Sequence, residues 1–167
     1  MSKVIEILMN EHKEIVKFVE NLKLMCLDFI NHNKIDIEEF RKSVHFIKTY
    51  ADERHHQKEE QILFKSMVEH LGVRAENIIK YGMLIEHDLA RYHVNGLNEA
   101  VNKYKKEPSD ENKLEILTHA LSYCDLLLRH AYKEDNVVYP FGEKNLPKEE
   151  LERLDILAEE YEQKYKQ

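Results

Sequence analysis

Apolar residues recur every three or four positions through most of the chain, the period of an amphipathic helix. From about Lys3 to Phe29 the stripe is Ile5, Leu8, Ile15, Val19, Leu22 and Cys26, with His12 in line with it. Asn31-His32-Asn33 interrupts the pattern. Asp36 supplies an N-cap for a second helix, predicted to run to about His70 and to end at Gly72. A third helix is expected from about Ala75 to Lys105. Pro108-Ser109-Asp110 stops it and caps a fourth, which the pattern carries to about Tyr139, before Pro140 and Gly142. After Leu146-Pro147 a short, highly charged fifth helix is expected, to about Tyr165. Four long helices with short links fold most simply as an up-down-up-down bundle. The expected fold is therefore all-α: a four-helix bundle over residues 1–145, with residues 146–167 as an additional C-terminal helix packed across it.

The pattern repeats. Glu11-His12 returns as Glu86-His87, and His55-x-x-x-Glu59-Glu60 returns as His130-x-x-x-Glu134-Asp135, both at an offset of 75 residues. The same offset carries Leu8 onto Met83, Val19 onto Val94, Leu22 onto Leu97 and Ile62 onto Val137. Two helical hairpins that keep histidines and carboxylates in register with a hydrophobic stripe point to one metal site built by both.

Direction along each helix follows from a turn of about 100° per residue. On the first helix Leu8, Val19 and Cys26 fall within about 40° of His12, and on the third Met83, Val94 and Val101 fall as close to His87. On the second helix the stripe of Val44, Ala51 and Ile62 contains His55 and Glu59, and leaves His56 and Glu60 near its edge or outside. On the fourth, Tyr123, Leu126 and Val137 flank His130 and Glu134. Two inward carboxylates in an apolar core are costly unless a cation compensates them. Imidazole and carboxylate donors without thiolates suit Fe, Zn or Mn. The candidate metal ligands are His12, His55, Glu59, His87, His130 and Glu134. His119 also faces inward, three turns from His130, as a core or outer residue; His45, His70 and His93 read as surface.

Composition narrows the rest. The 167 residues make one domain by length, and only four Gly and three Pro agree with an all-helical chain. Ten histidines are the oddity. The net charge is -7 with no basic run, which argues against nucleic acid or an anionic membrane as a partner. No signal-type or membrane-spanning apolar run is evident, so a cytoplasmic location is the expectation. Cys26 and Cys124 form no C-x-x-C motif and read as reduced packing residues.

At His12, His55-x-x-x-Glu59, His87 and His130-x-x-x-Glu134 the chain resembles the hemerythrin-like family, in its bacterial HHE cation-binding branch. Leu8-Met9-Asn10-Glu11-His12 and Glu134-Asp135-Asn136-Val137-Val138-Tyr139-Pro140 look like its motifs, and the match covers roughly residues 3 to 141. The resemblance implies a non-haem di-iron centre whose two ions share carboxylate bridges and an oxo or hydroxo group. By position, His12, His55, His87 and His130 are the terminal ligands and Glu59 and Glu134 the bridges. Asp135 is a rival to Glu134. Oxygen-carrying members place a second histidine four residues after the one matching His87; here that position is Arg91. His56, His119 or His32 remain candidates for a fifth histidine.

The resulting expectation is a protein that binds O2 or peroxide and reduces it, in oxidative stress, drawing electrons from an unidentified donor. Tyr123, inward and two turns before His130, is a candidate hydrogen-bond or electron donor. The alternatives are an O2 or NO sensor, a carrier or iron-binding protein without turnover, and nitrosative-stress repair of iron–sulfur clusters. The last ranks lower, since those relatives carry a cysteine-containing N-terminal domain. A ferritin-like oxygenase is set aside, because Glu53-x-x-His56 has Glu53 facing outward.

Overall fold

A computed structural model describes residues 1–165; the last two residues of the expected C-terminal segment, 166–167, lie outside the described residues. Helix α1 (Lys3–His32) is the first amphipathic stripe, ended by Asn33 in the left-handed region. Helix α2 (residues 37–71) starts at Asp36, whose carboxylate accepts from the backbone N–H groups of Glu38 and Glu39. Gly72, at φ 67° and ψ -160°, breaks the path and starts α3 (residues 73–106) with almost no link. Only glycine takes up that conformation cheaply. Helix α4 (residues 110–145) begins with the Ser109 hydroxyl accepting from Asn112 N–H, and α5 (Lys148–Gln163) follows Pro147. The described chain is an all-α bundle of four long helices with a fifth beside it, and none of them is long and apolar enough to cross a membrane.

Two features depart from the sequence pattern. Helix α4 does not stop at Tyr139 but continues through Pro140 and Gly142 to Asn145. Pro140 sits in the first turn after a π-helical segment, Glu134–Val138, where its missing N–H removes no needed bond. Helix α2 is π-helical over Ile47–His56 and Glu59–Phe64. With i→i+5 hydrogen bonding a turn holds more residues, so each side chain advances by less than the α-helical step. Consecutive residues then share a face that an α-helix would split between inside and outside.

The core falls into two apolar clusters. One gathers Ile15, Val19, Leu22, Phe29, Phe40, Val94, Leu97 and Leu127 at the end where α1 meets α2. The other gathers Ile5, Leu8, Leu63, Met67, Ile79, Val138 and Tyr139 with Leu154 and Ala158 of α5. Between them lies a layer of buried histidines and carboxylates. Helix α5 covers the end of the bundle nearer this layer. Its Glu162 pairs with Lys58 and Arg54 of α2, so it is a wall of the core and not only an appendage.

Candidate metal centre

Seven side chains from α1, α2, α3 and α4 converge in the polar layer. His56, Glu59, His87 and His130 offer one set of donor atoms within 4.8 Å of each other, and His12, His55, Glu59 and Glu134 a second. Glu59 belongs to both. Glu134 also reaches across: its Oε2 lies 3.2 Å from both His12 Nε2 and His130 Nε2, and its Oε1 3.8 Å from His87 Nε2. All six ligand candidates drawn from the sequence are brought together here.

His56 was expected near the edge of the stripe, and the structure overturns that. It is buried, stacked on His87 at a centroid distance of 4.0 Å and edge-on to His130 at 5.7 Å. The reason is the π-helical stretch ending at His56, which turns both members of the His55-His56 pair inward. His56 thus joins the four expected histidines in the layer. The position that would have carried a fifth histidine on α3 holds Arg91, whose guanidinium donates to Asp52 Oδ1 at 2.9 Å and Glu60 Oε1 at 2.7 Å. His32 is exposed at the end of α1, paired with Asp28, and twenty residues or about 30 Å of helix from His12. His119 points away from the layer and contacts His93, which is half-buried and not a free surface residue. Tyr123 is buried, but its hydroxyl has no partner among the described residues and it belongs to the apolar cluster beyond the layer.

Each of four histidines gives its outward ring nitrogen to a carboxylate. His12 donates to Asp135 at 2.7 Å, His55 to Glu11 at 2.9 Å, His87 to Glu60 at 2.7 Å and His130 to Glu86 at 2.8 Å. The four pairs obey the 75-residue repeat. Such carboxylates fix the tautomer and aim the other ring nitrogen inward. Asp135 therefore orients His12, and Glu134 is the residue that reaches the centre. Lys58, fully buried, donates to Glu11 at 2.5 Å and pairs with Glu162; its repeat counterpart Lys133 pairs with Glu86. Sequence reasoning missed this outer layer, although the repeat of Glu11 and Lys58 as Glu86 and Lys133 was its signal. It also missed Tyr139, whose hydroxyl donates to Glu59 Oε1 at 2.5 Å and whose ring stacks on His12. The repeat pairs Tyr139 with Phe64, which stacks on His87 with no hydroxyl to offer.

The donor atoms fit a metal. His56 Nδ1 and Nε2, Glu59 Oε2 and both Glu134 oxygens are buried without a hydrogen-bond partner among the described residues. Nitrogens and oxygens at 3.2–3.8 Å that fail to align as hydrogen bonds have lone pairs converging on points between them. Charge tells the same story. Burial disfavours an imidazolium at His12 and His130, yet the carboxylates around them outweigh it and lift both to about 10. Burial foremost, then the neighbouring His87 and His130, push His56 down to about 3, against the opposing pull of Asp52 and Glu134. Burial and the neighbouring Glu134 charge raise Glu59, whereas the facing histidines hold Glu134 low despite its burial. The layer is built around positive charge that cations supply.

The family model for the hemerythrin HHE cation-binding domain matches residues 3–161. The chain belongs to this family. The match includes most of α5, so this hemerythrin-type domain runs past the boundary at residue 145 drawn from the helix pattern. Among curated proteins, none matches the chain. Cation binding, metal-ligating His and Glu clusters and the helical bundle together make this a hemerythrin-type metal centre.

Proposed function

We propose that the chain holds two iron ions, one in each donor set, and that it binds O2 or peroxide there and reduces it. The observation that carries this reading is the unequal division of ligands. One set has three histidines and the other has two, while Glu59 serves both. Glu134 also reaches His87 and His130, so the three-histidine set can offer five protein donors against four in the His12–His55 set, and an ion held in the latter would leave room for a small exogenous ligand. Every donor residue is buried, so the ligand is small and uncharged enough to cross an apolar core. Two irons held by these residues would supply redox chemistry for such a ligand, with re-reduction by an external donor.

The residues around the two-histidine set divide the remaining work. Asp135 and Glu11 hold His12 and His55 in the tautomer that directs Nε2 inward. The Tyr139 hydroxyl, itself 3.5 Å from His12 Nε2, donates its proton to Glu59 Oε1 beside the two-histidine set. Reduction of O2 or peroxide consumes protons, and this hydroxyl is placed to release one and recover it. Leu8, Ile62 and Leu63, at the polar layer, keep bulk water out.

A second reading is reversible binding, as an O2 or NO carrier or sensor. Its support is His56, which completes five histidines, and the dryness of the layer. The decisive experiment is metal content and optical spectrum of anaerobically purified protein, before and after admitting air. The proposal expects one iron for each donor set, new near-ultraviolet and visible bands, and O2 consumed under a reductant. Bands that vanish on deoxygenation with no O2 consumed would select carriage. Zinc or no metal would end both redox readings.

A further inference from the structure

Away from the centre, α3 and α4 bring a second histidine pair together. His119 Nδ1 lies 3.3 Å from His93 Nδ1, with ring centroids 5.5 Å apart. The contact depends on Gly96, one turn beyond His93. A Cβ there would sit 2.3 Å from His119 Cε1, 2.4 Å from Nε2 and 2.6 Å from Nδ1. The His119 ring rests on bare backbone, and any larger residue would expel it. Glycine inside a helix is less favourable than alanine, so a larger residue here would be gained only by displacing the ring.

We propose that His93 and His119 form a third, mononuclear site for a divalent transition-metal ion such as Zn2+. Two nitrogens each about 2.05 Å from one tetrahedral ion are separated by about 3.3 Å. The facing nitrogens of the dinuclear centre stand at similar spacing, 2.9 Å for His12–His55 and 3.1 Å for His87–His130. On the other side of the His119 ring, Glu115 Oε2 is 3.8 Å from Nε2. A carboxylate there favours the proton on Nε2 and leaves the Nδ1 lone pair for the ion, the arrangement of ligand histidines generally. Tyr92 packs edge-on against both rings and closes one flank. His119 keeps 13% of its side chain exposed, so solvent reaches the pair and water fills the remaining positions. Imidazole donors without a thiolate select Zn2+, Ni2+ or Cu2+ over Ca2+ or Mg2+. His93 is six residues from His87, about 9 Å along α3, too far to serve the dinuclear centre.

The test adds Zn2+ to the full chain with its dinuclear centre loaded, counts bound zinc after gel filtration, and locates it by anomalous scattering in crystals. Wild-type protein should retain one zinc more than His93→Ala, His119→Ala or Gly96→Ala, with the iron content unchanged in all four. The anomalous peak should lie between the two Nδ1 atoms. Glu115→Gln should weaken zinc binding by roughly 10–100-fold. No extra zinc in the wild type, the full wild-type count retained in both histidine variants, or a peak elsewhere would each overturn the assignment. The count does not depend on whether the dinuclear centre turns over O2, so it stands or falls apart from the proposed function.

Discussion

His56 and Tyr139 are two residues at which the chemistry of the halves of the site differs. The repeat places Ala131 opposite His56 and Phe64 opposite Tyr139. A methyl and a phenyl ring stand where the other half has a buried imidazole and a hydroxyl that donates to Glu59. His56→Ala should therefore empty the three-histidine set and leave His12, His55, Glu59 and Glu134 complete, so that iron per chain falls from two toward one. Unchanged iron by elemental analysis would mean that His56 is no ligand. Lys58 is a different kind of residue, a buried cation between two carboxylates. Removing one partner of a buried pair typically costs about 3–5 kcal/mol. Lys58→Ala should lose stability in that range in urea unfolding, and Lys133→Ala, whose side chain is 41% exposed, much less.

At the scale of elements, Gly72 and Gly82 are opposite cases. Neither would meet an atom within 4 Å if given a Cβ, but Gly72 is at φ 67° and Gly82 is helical. Gly72→Ala should cost about 1–3 kcal/mol through backbone strain alone. Gly82→Ala should gain up to about 1 kcal/mol. Paired denaturation curves check both signs. Helix α5 is tied to α2 by Glu150, which accepts from the Ser66 hydroxyl at 2.6 Å and pairs with Arg153. Arg153 foremost, with help from Ser66, holds the Glu150 carboxyl down from 4.5 to about 2 against the opposing effect of burial. A carboxyl that is a stronger acid when folded stabilises the fold fully above its unfolded pKa. That stabilisation is lost as pH falls through the folded one. Glu150→Gln should cost a few tenths to about 1 kcal/mol near neutrality, and the difference should vanish as pH drops from 4.5 toward 2. Which parts were legible beforehand follows from helix type. Where the chain is α-helical, as around His12 and His87, a uniform step per residue placed the histidines inside. His55, Glu59, His130 and Glu134 were readable because the repeat chose the register. His56 was not, because nothing in the side-chain pattern announces a π-helical stretch. Tyr139 was hidden by Pro140, which reads as a stop signal and here follows a π turn.

The whole molecule wraps two apolar clusters around a charged layer, so stability and metal loading are coupled. At a metal concentration 100-fold above its dissociation constant, binding adds about 2.7 kcal/mol, or about 5–10 °C in Tm for a domain of this size. Chelation should lower Tm by at least that much in differential scanning calorimetry; no shift would mean that the layer folds equally well without cations. Neither hairpin can build the layer alone. His12 leans on Asp135 and His87 on Glu60, each across the hairpin boundary, and both donor sets draw on both halves. Two copies of one hairpin could assemble such a layer as a homodimer, but identical subunits must offer identical surroundings to each ion. Joining the halves through Gly72 into α3 lifts that constraint. One donor set is then free to hold an ion tightly and the other to leave an ion within reach of a visitor, a division of labour that a symmetric pair cannot have.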